Sequence, residues 1–397
     1  MRRDRKAVLV LSICQLLFGS SRSLLISTAP LIAYTIAEHK GLATLPHALV
    51  IVGTALLTLP ASLLTHRLGR RDGFLLGLLL GAVGGAVCIL AVARADFWLF
   101  ALGTLLYGSF AGFAQHYRFA AADVAEPAFR PKAISLVLAS GVVAAFAGPE
   151  MAKAGKDLIA GAPFVGSYVF LIATMFVSAL AMTFLDIPKP SRAEREGPQR
   201  PMGEIMRQKV FIAAALAATI GQAVMNFLMT ATPIAMTQMS HQFADTALVI
   251  EWHVFGMFAP GFFTGSLIRR FGEIRVIMAG LFLELVCIFV ALSGSAVFDF
   301  WLSMLLLGVG WNFCFTGGTS LMTTAYRNVA ERAKTQGAMN FIIYGFVACV
   351  SLSSGAFVHY LGWTWVNILA LPLLSVAVVT TLWYAAHMRA AQPAAGE

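Results

Sequence analysis

A single arginine, Arg22, stands about halfway along the first long apolar run of the chain. A cationic side chain at the centre of a bilayer costs about 2.5–3.5 kcal/mol unless it is paired or hydrated. Its guanidinium offers two parallel hydrogen bonds to a carboxylate or a phosphate. We therefore predict that Arg22 contacts an anionic group of a ligand. A structural arginine, satisfied by backbone carbonyls, is the alternative.

Polar side chains recur at helical spacing around Arg22 and again in later apolar runs. Residues three and four apart share one face of a helix, and such a face can line a cavity or contact a neighbouring helix. The predicted ligand-binding residues are Arg22, Gln15, Ser23, Ser27, Gln222, Asn226, Thr230, His253, Trp311, Asn312, Asn340 and Tyr344. Helix–helix contact is the alternative for each of them taken alone, above all for the serines. Packing is the alternative for the indole ring.

The composition places these residues in a membrane. Of the 397 residues, 59% are hydrophobic and 12% are charged, and the mean hydropathy is +0.79, which excludes a soluble globular chain. The net charge of +9 comes from short basic clusters between apolar runs. That pattern orients helices in a bilayer and argues against nucleic-acid binding. The five cysteines lie in apolar runs without metal-ligand spacing, so we expect neither a metal nor another cofactor.

Apolar runs long enough to cross a bilayer, about 20 residues each, occur twelve times. The predicted spans are 8–35, 45–65, 73–93, 97–119, 133–152, 164–185, 210–238, 246–268, 274–294, 299–321, 336–358 and 362–386. Most Lys and Arg residues fall on one side when both termini are cytoplasmic, as basic loops require. We predict an all-α protein of a bacterial inner membrane, with both termini in the cytoplasm.

The two halves of the chain repeat one another at an offset of 203 residues. The repeat aligns Gly19, Ser23, Ser27 and Pro30 with Gln222, Asn226, Thr230 and Pro233. We predict two pseudo-symmetric six-helix bundles, 1–186 and 210–397, joined by a polar cytoplasmic linker, 187–209. Duplicated bundles place a binding site between the halves, so the polar faces should meet there.

A short basic turn follows the second span of each half. The first copy, from Ser62, reads S-L-L-T-H-R-L-G-R-R, and the second, from Gly265, reads G-S-L-I-R-R-F-G-E-I. Two six-span halves, a central linker and these turns together resemble the major facilitator superfamily of secondary transporters, whose turn motif is G-x-L-a-D-r-x-G-r-[RK]. The resemblance covers nearly the whole chain. It implies solute transport by alternating access, through rocking of the two bundles.

The resemblance also implies a cytoplasmic gate at the basic turns. The predicted gate residues are Arg67, Gly69, Arg70, Asp123, Arg270 and Gly272. The acidic residue of the family motif is replaced by His66 and Arg269 in the two copies, so the usual carboxylate latch is missing. We expect Asp123 to pair with an arginine of the first turn in its place. A solvated surface ion pair, worth about 0–1 kcal/mol, is the alternative.

The direction of transport depends on a weaker resemblance. Gly141, Gly148 and Pro149 resemble part of a glycine-proline motif of antiporters, but Ala152 and Lys153 replace its closing glycines. An arginine that many proton-linked drug exporters carry in the fourth span is also absent. The resemblance therefore favours export only slightly over uptake.

Proton coupling needs a titratable group that alternates between wet and dry surroundings. We predict Glu150 as the coupling residue and His253 as the second choice. His253 is expected to face the cavity and Glu251 to lie near the outer interface. Glu284 lies in the ninth span, which is peripheral in the family, so a cavity role for it is hard to reconcile. An interface glutamate and a hydrogen-bonded core histidine are the alternatives for the two predicted residues.

These patterns together predict a monomeric, proton-coupled secondary transporter of a small organic anion. A multidrug exporter of hydrophobic compounds is the first alternative, although the charge of Arg22 would repel a cationic drug. A membrane sensor that binds its solute without moving it is a second. We find no nucleophile–base constellation that would support an enzyme.

Overall fold

The computed structural model of the chain describes residues 3–124, 130–187, 200–327 and 329–391. These residues form helices joined by short turns. The helices are α1 (Arg3–Ile36), α2 (Leu45–Leu68), α3 (Arg70–Arg94), α4 (Phe97–Ala114), α5 (Tyr117–Val124), α6 (Arg130–Lys156), α7 (Val165–Met182), α8 (Met202–Met206), α9 (Lys209–Gln238), α10 (Phe243–Phe258), α11 (Gly261–Phe271), α12 (Glu273–Ser293), α13 (Val297–Met322) and α14 (Val329–Ala391), with a 3-10 turn at Lys40–Leu42.

The all-α membrane architecture is confirmed, and each of the twelve predicted spans lies on helix. Within the described residues, nine helices are long and apolar enough to cross a membrane, or ten if α10 and α11, bent by 41°, count as one span. The count of twelve is therefore not reproduced by length and composition alone. One helix, α14, has 63 residues and is broken at Gly362, so it covers the last two predicted spans.

Each half of the chain, 3–187 and 200–391, contributes mainly to one of two apolar clusters. The first contains side chains such as Leu11, Phe74 and Tyr168. The second centres on α9, in which every residue from Ala217 to Met236 is buried because the helix packs against α13, α14 and α1. A helix that is apolar on all sides belongs at the centre of a bundle. The polar residues on it must therefore face other helices or an internal cavity.

The two ends of the molecule are distinguished by their connections. We call the end at which α7 ends and α9 begins the linker end and the opposite end the distal end. The basic turns lie at the linker end. Gly69 separates α2 from α3 with φ 99° and ψ 154°, and Gly272 separates α11 from α12 with φ 82° and ψ 158°. The repeat of 203 residues thus extends to the same left-handed backbone in both halves.

A positive φ combined with an extended ψ strains any residue with a Cβ by about 1–3 kcal/mol. We predict that Gly272→Ala lowers the free energy of unfolding by about 1–3 kcal/mol, because a Cβ there meets no other atom within 4 Å and only the backbone is affected. The measurement is thermal unfolding of the purified protein.

Gly265→Ala is the matched control for this variant. A Cβ at this position also meets nothing, but the residue lies inside α11, where alanine is favoured over glycine by about 1 kcal/mol. Gly265→Ala should therefore leave stability unchanged or raise it. Equal losses in both variants would contradict the assignment of the strain to Gly272.

A buried ion pair ties the end of the linker to the second half. Arg200 donates from Nη2 and Nε to the two carboxylate oxygens of Glu331 at 2.7 and 2.9 Å, and the backbone N–H of Arg327 donates to the same carboxylate at 3.0 Å. Hydrogen bonds from the Arg200 guanidinium and from these backbone groups hold the pKa of Glu331 well below its usual range. The start of α14 is thereby anchored beside the linker.

Candidate functional site

A cavity lies between the two halves, next to Arg22. In this closed state it is narrow, with a volume of about 10 Å³, which is the space that roughly one water molecule needs. Its walls are formed by Arg22, Leu25 and Ile26 of α1, His47, Val50, Ile51 and Thr54 of α2, Tyr107 of α4 and Tyr344 of α14. Two predicted binding residues, Arg22 and Tyr344, thus meet across the boundary between the halves. Aliphatic walls with a few polar groups are typical of small-molecule sites.

Arg22 presents an uncompensated charge to this cavity. Its side chain is half-buried and forms no hydrogen bond or ion pair with any residue that the structure describes. The predicted alternative, a guanidinium satisfied by backbone carbonyls, therefore has no support in the described contacts. A guanidinium in this position can donate hydrogen bonds to a carboxylate, phosphate or carbonyl oxygen of a bound solute.

His47 is a cavity residue that the sequence analysis missed. Its side chain is 4% exposed, and neither ring nitrogen has a hydrogen-bond partner in the described parts of the chain. The side chain of the predicted residue Asn226 lies beside the ring, close enough for a weak hydrogen bond between them, although its oxygen has no partner of good geometry among the described residues. Buried polar atoms nearly always have good partners, so a solute that enters the cavity can compete for both groups.

Small residues of α1 near Arg22 allow this helix to pack closely against α6. A Cβ on Gly19 would lie 2.7 Å from the Cβ of Ala144 in α6, and Gly148 of α6 approaches the Cβ of Ser23. Ser27 donates to the backbone carbonyl of Ser23 at 3.0 Å. Ser23 therefore lies at the contact between α1 and α6, the Ser27 hydroxyl is occupied within α1, and neither serine is among the residues that form the cavity walls. Gln15 is half-buried farther along α1.

The predicted residues of the second half are joined by hydrogen bonds. Trp311 donates from its indole nitrogen to Gln222 Oε1 at 2.6 Å and stacks on Phe315 with ring centroids 5.2 Å apart. Asn312 donates to the Met257 carbonyl at 2.7 Å and accepts from Thr264, so it ties α13 to α10 and α11.

Two further predicted residues lie on α9 and α14. Thr230 donates to the carbonyl of Asn226 at 2.6 Å, which occupies its hydroxyl within α9. Asn340 is half-buried on α14, one turn before the cavity residue Tyr344.

His253 does not face the cavity, contrary to the expected orientation. Its ring is fully buried, and Nδ1 is 2.8 Å from the backbone carbonyl of Met304 in α13. It therefore lies between α10 and α13, inside the second half. A histidine on one helical face with Gly256 and Thr264 can turn toward a neighbouring helix as readily as toward a cavity, and the sequence does not distinguish the two.

Glu150 and Glu251 share one lysine at the distal end. Lys153 Nζ lies 2.7 Å from Glu150 Oε1 and 3.0 Å from Glu251 Oε1. The side chain of Glu251 is 7% exposed, whereas that of Glu150 is 61% exposed. Because Lys153 belongs to α6 and Glu251 to α10, the pair joins the two halves. We call these three residues the distal ion cluster.

A threonine makes a second connection between the halves at the same end. The Thr44 hydroxyl donates to the Ser351 carbonyl at 3.0 Å and accepts from the Gly355 N–H at 2.8 Å. Thr44 is fully buried. Phe164 and Phe243 add an edge-to-face contact with centroids 5.3 Å apart. These contacts close the distal end.

The predicted cytoplasmic gate is only partly within the described residues. The side chains of Arg67 and Asp123 lie outside them, so the expected pairing of Asp123 stays a prediction. Gly69 and Gly272 form the two left-handed turns. In the second turn the Arg270 guanidinium lies 5.2 Å from the centroid of the Phe271 ring.

Known proteins of similar sequence and structure are transporters. The riboflavin transporter RfnT of Brucella anthropi is 39% identical over 379 residues, or 94% of each chain. A bacterial homologue of the human lysosomal transporter Spinster, in an inward-facing and occupied conformation, superposes with a TM-score of 0.70 at 14% identity, covering 96% of this chain and 97% of that one. The human organic anion transporter MFSD10 superposes with a TM-score of 0.67 at 15% identity, covering 96% and 100%. At such identities the two structures establish the fold alone.

The family of the chain follows from a match over most of its length. The sequence profile of the Major Facilitator Superfamily matches residues 11–351, which include both basic turns and the cavity residues. This match agrees with the apolar helices and with the transporter of similar sequence. The protein is thus an integral membrane transporter of a small molecule and not an enzyme, and it belongs to the major facilitator superfamily.

Proposed function

We propose that the protein is a proton-coupled secondary transporter of a flavin, riboflavin or a close derivative, which binds beside Arg22 when rocking of the halves widens the narrow cavity between them. The observation that carries the proposal is the unpaired Arg22 guanidinium in that cavity, beside the unpartnered polar atoms of His47 and Asn226. The 39% identity to a riboflavin transporter over 94% of each chain supports the choice of solute.

Flavin chemistry suits these groups. The pyrimidine-dione edge of a flavin carries two carbonyl oxygens and an imide N–H, so it needs both donors and an acceptor. A guanidinium supplies donors, and a neutral imidazole and an amide supply both kinds of group. The apolar ring system suits the aliphatic wall of Leu25, Ile26 and Val50. Few polar groups on an apolar wall give such a site its orientation and specificity.

The sequence favoured an anionic solute. Comparing an uncharged flavin with a charged one distinguishes recognition of the charge from recognition of the ring. Riboflavin is uncharged at neutral pH and would meet Arg22 through carbonyl oxygens. Flavin mononucleotide carries a phosphate, to which a guanidinium binds with two charge-assisted hydrogen bonds. Comparing the affinities of the two ligands tests whether the arginine binds the phosphate or the ring carbonyls. Tighter binding of the phosphate ester would favour the anionic solute that the sequence predicts.

Alternating access is supported by the closed distal end. The distal ion cluster and Thr44 join the halves there, whereas the cavity lies deeper in the molecule. Rocking of one bundle against the other would break these contacts and expose the cavity at the distal side. With the termini at the cytoplasmic side, as the basic loops predict, the distal end would face outward.

The proposal is tested by binding and then by flux. Quenching of flavin fluorescence by the purified protein measures affinity, and thermal unfolding measures stabilisation, expected at about 2.7 kcal/mol when the ligand is at 100 times its Kd. Uptake into proteoliposomes then distinguishes a transporter from a sensor. Stabilisation only by lipophilic cations would contradict the flavin proposal and favour a multidrug exporter. The preference for export stays a prediction, which flux in vesicles of both orientations tests.

A further inference from the structure

Glu284 is a buried acid without a partner. It lies in the middle of α12, its side chain is 0% exposed, and neither carboxyl oxygen has a hydrogen-bond partner within the described part of the chain. The carboxyl fits against two glycines of neighbouring helices. A Cβ added to Gly221 of α9 would lie 3.4 Å from Oε1, and one added to Gly310 of α13 would lie 2.9 Å from Cγ. The carboxyl therefore points into the second half, not toward its periphery.

The surroundings of this carboxyl contain no cation among the described residues. The titratable groups that face it are the thiols of Cys287 on the same helix and Cys314 on α13. No charged group of α9, α13 or α14 that the structure describes acts on it. An isolated carboxylate in apolar surroundings is so costly that the group keeps its proton. Glu284 is thus a neutral acid in the closed-distal state.

A structural role does not account for such a residue. A leucine or methionine would fill the same space without an unsatisfied polar group, and buried polar groups normally find partners. An ionisable residue inside a membrane bundle is a functional candidate for that reason. Apolar residues could replace this carboxylic acid in packing, but they could not release a proton as it can.

The site of Glu284 is directly connected to the cavity side of the bundle. Gly221 precedes Gln222, and Gly310 precedes Trp311, so the two residues that touch the carboxyl adjoin the pair joined by the 2.6 Å hydrogen bond. Trp311 in turn contacts Phe258, with centroids 6.4 Å apart. The Phe258 ring packs against Gly141 of α6 in the first half. This chain of contacts runs from the carboxyl to the boundary between the halves.

We propose that Glu284 binds the proton that drives transport. This inference rests on the proposed function, because it assumes that transport is coupled to protons. When the halves rock, Phe258 leaves Gly141 of the first half, and water reaches the carboxyl past Trp311. The O–H bond of the acid breaks, its proton passes to a water molecule, and a hydrated carboxylate remains. Reprotonation from water on the other side of the membrane restores the neutral acid and allows the bundle to close again.

Glu284 suits this task better than Glu150 or His253. Glu150 is 61% exposed and bound to Lys153 at 2.7 Å, so its surroundings are already wet and charged. His253 is also fully buried, and its Nε2 has no partner among the described residues, but its Nδ1 is held by the Met304 carbonyl, whereas neither oxygen of Glu284 has such a partner. A coupling group must pass between a dry and a wet environment. The fully buried, unpartnered carboxyl starts from the dry extreme.

The test uses the whole protein in liposomes, with riboflavin as the probe. We would compare wild type, Glu284→Gln, Glu150→Gln and, as a matched control, the exposed distal acid variant Glu38→Gln. A pH difference of one unit sustains about tenfold accumulation if one proton accompanies each solute. In Glu284→Gln we expect the accumulation ratio to fall to about one and downhill exchange to lose its dependence on pH. Glu38→Gln should accumulate riboflavin as wild type does.

A second measurement needs no transported solute. Infrared spectra of the wild type, recorded across pH without riboflavin, should contain a carboxylic acid C=O band that disappears when the acid ionises. The band should be absent from Glu284→Gln and shifted in Glu284→Asp, which also serves if the glutamine variant fails to fold. Wild type that moves no riboflavin would refute the flavin proposal, while this band would still report on the proton site.

Two results would overturn the proposal. One is tenfold accumulation in Glu284→Gln, or its loss in Glu150→Gln alone, which would assign coupling to the distal glutamate. The other is an acid band that is unchanged by every substitution at residue 284.

Discussion

Arg22→Ala should weaken flavin binding by about 10- to 150-fold, because a hydrogen bond to a charged group is worth about 1.5–3 kcal/mol. The guanidinium has no partner among the described residues, so its removal breaks no internal ion pair, and folding should be preserved. Arg22→Lys keeps the charge but loses the planar fork, so its affinity for flavin should lie between those of wild type and Arg22→Ala. Fluorescence quenching of riboflavin and flavin mononucleotide measures each case.

The matched control is Arg275→Ala. Arg275 is an exposed arginine near the start of α12, far from the cavity walls, and its loss should leave flavin affinity unchanged. Wild-type affinity in a correctly inserted Arg22→Ala protein would remove this residue from the binding site. A loss confined to flavin mononucleotide would mean that the arginine serves the phosphate and that His47 and Asn226 recognise the ring.

Lys153→Met should open the distal end. The substitution leaves Glu251, 7% exposed, without the cation that binds it at 3.0 Å. The closed state must then hold an unpaired buried charge, which costs several kcal/mol, or bind a proton from the solvent, which costs more as the pH rises. Either cost falls on the closed state alone, because water can reach the carboxylate once α6 and α10 separate, so the opening should increase with pH. A difference of about 1.4 kcal/mol already shifts the two-state ratio tenfold. Distances between spin labels at Glu38 and Ser295, exposed on distal loops of the two halves, should lengthen.

A second substitution distinguishes this mechanism from general damage. Adding Glu251→Gln to Lys153→Met removes the buried charge and should restore most of the short distances, since only hydrogen bonds are then lost. Arg94→Met is the control: this exposed arginine ends α3 at the distal end, and α3 packs against α2, α4 and α7 of its own half. If the double variant stays open, the ion pair is not what closes the distal end.

The sequence allowed more of the fold to be predicted than of the site. Periodic apolar runs and the repeat of 203 residues located the helices and the paired turns at Gly69 and Gly272, because both signals are local or copied. Arg22 was predicted because a charge in an apolar run is rare. His47 was missed because it stands alone in an apolar stretch, and its role depends on Asn226, which comes 179 positions later.

The errors in the site have a common physical cause. Helical spacing shows which residues share a face but not what that face meets. The Ser23 face meets α6, and the His253 face meets α13. The inward direction of Glu284 depends on glycines from two other helices, which no pattern within α12 records. Contacts between distant segments therefore decide which polar residues remain available to a solute.

The Thr44 hydroxyl also bears on how easily the transporter cycles. It sits between the Ser351 carbonyl and the Gly355 N–H, two groups that are four residues apart and so would pair with each other in an uninterrupted helix. Because α14 is helical here and its backbone departs from the helix at Gly362, both groups keep a partner within their own helix when the first half withdraws. Separation of the halves should then leave no orphaned backbone group on α14, and only the bonds of Thr44 pass to water. A contact of this kind holds the distal end closed without a large cost of opening it.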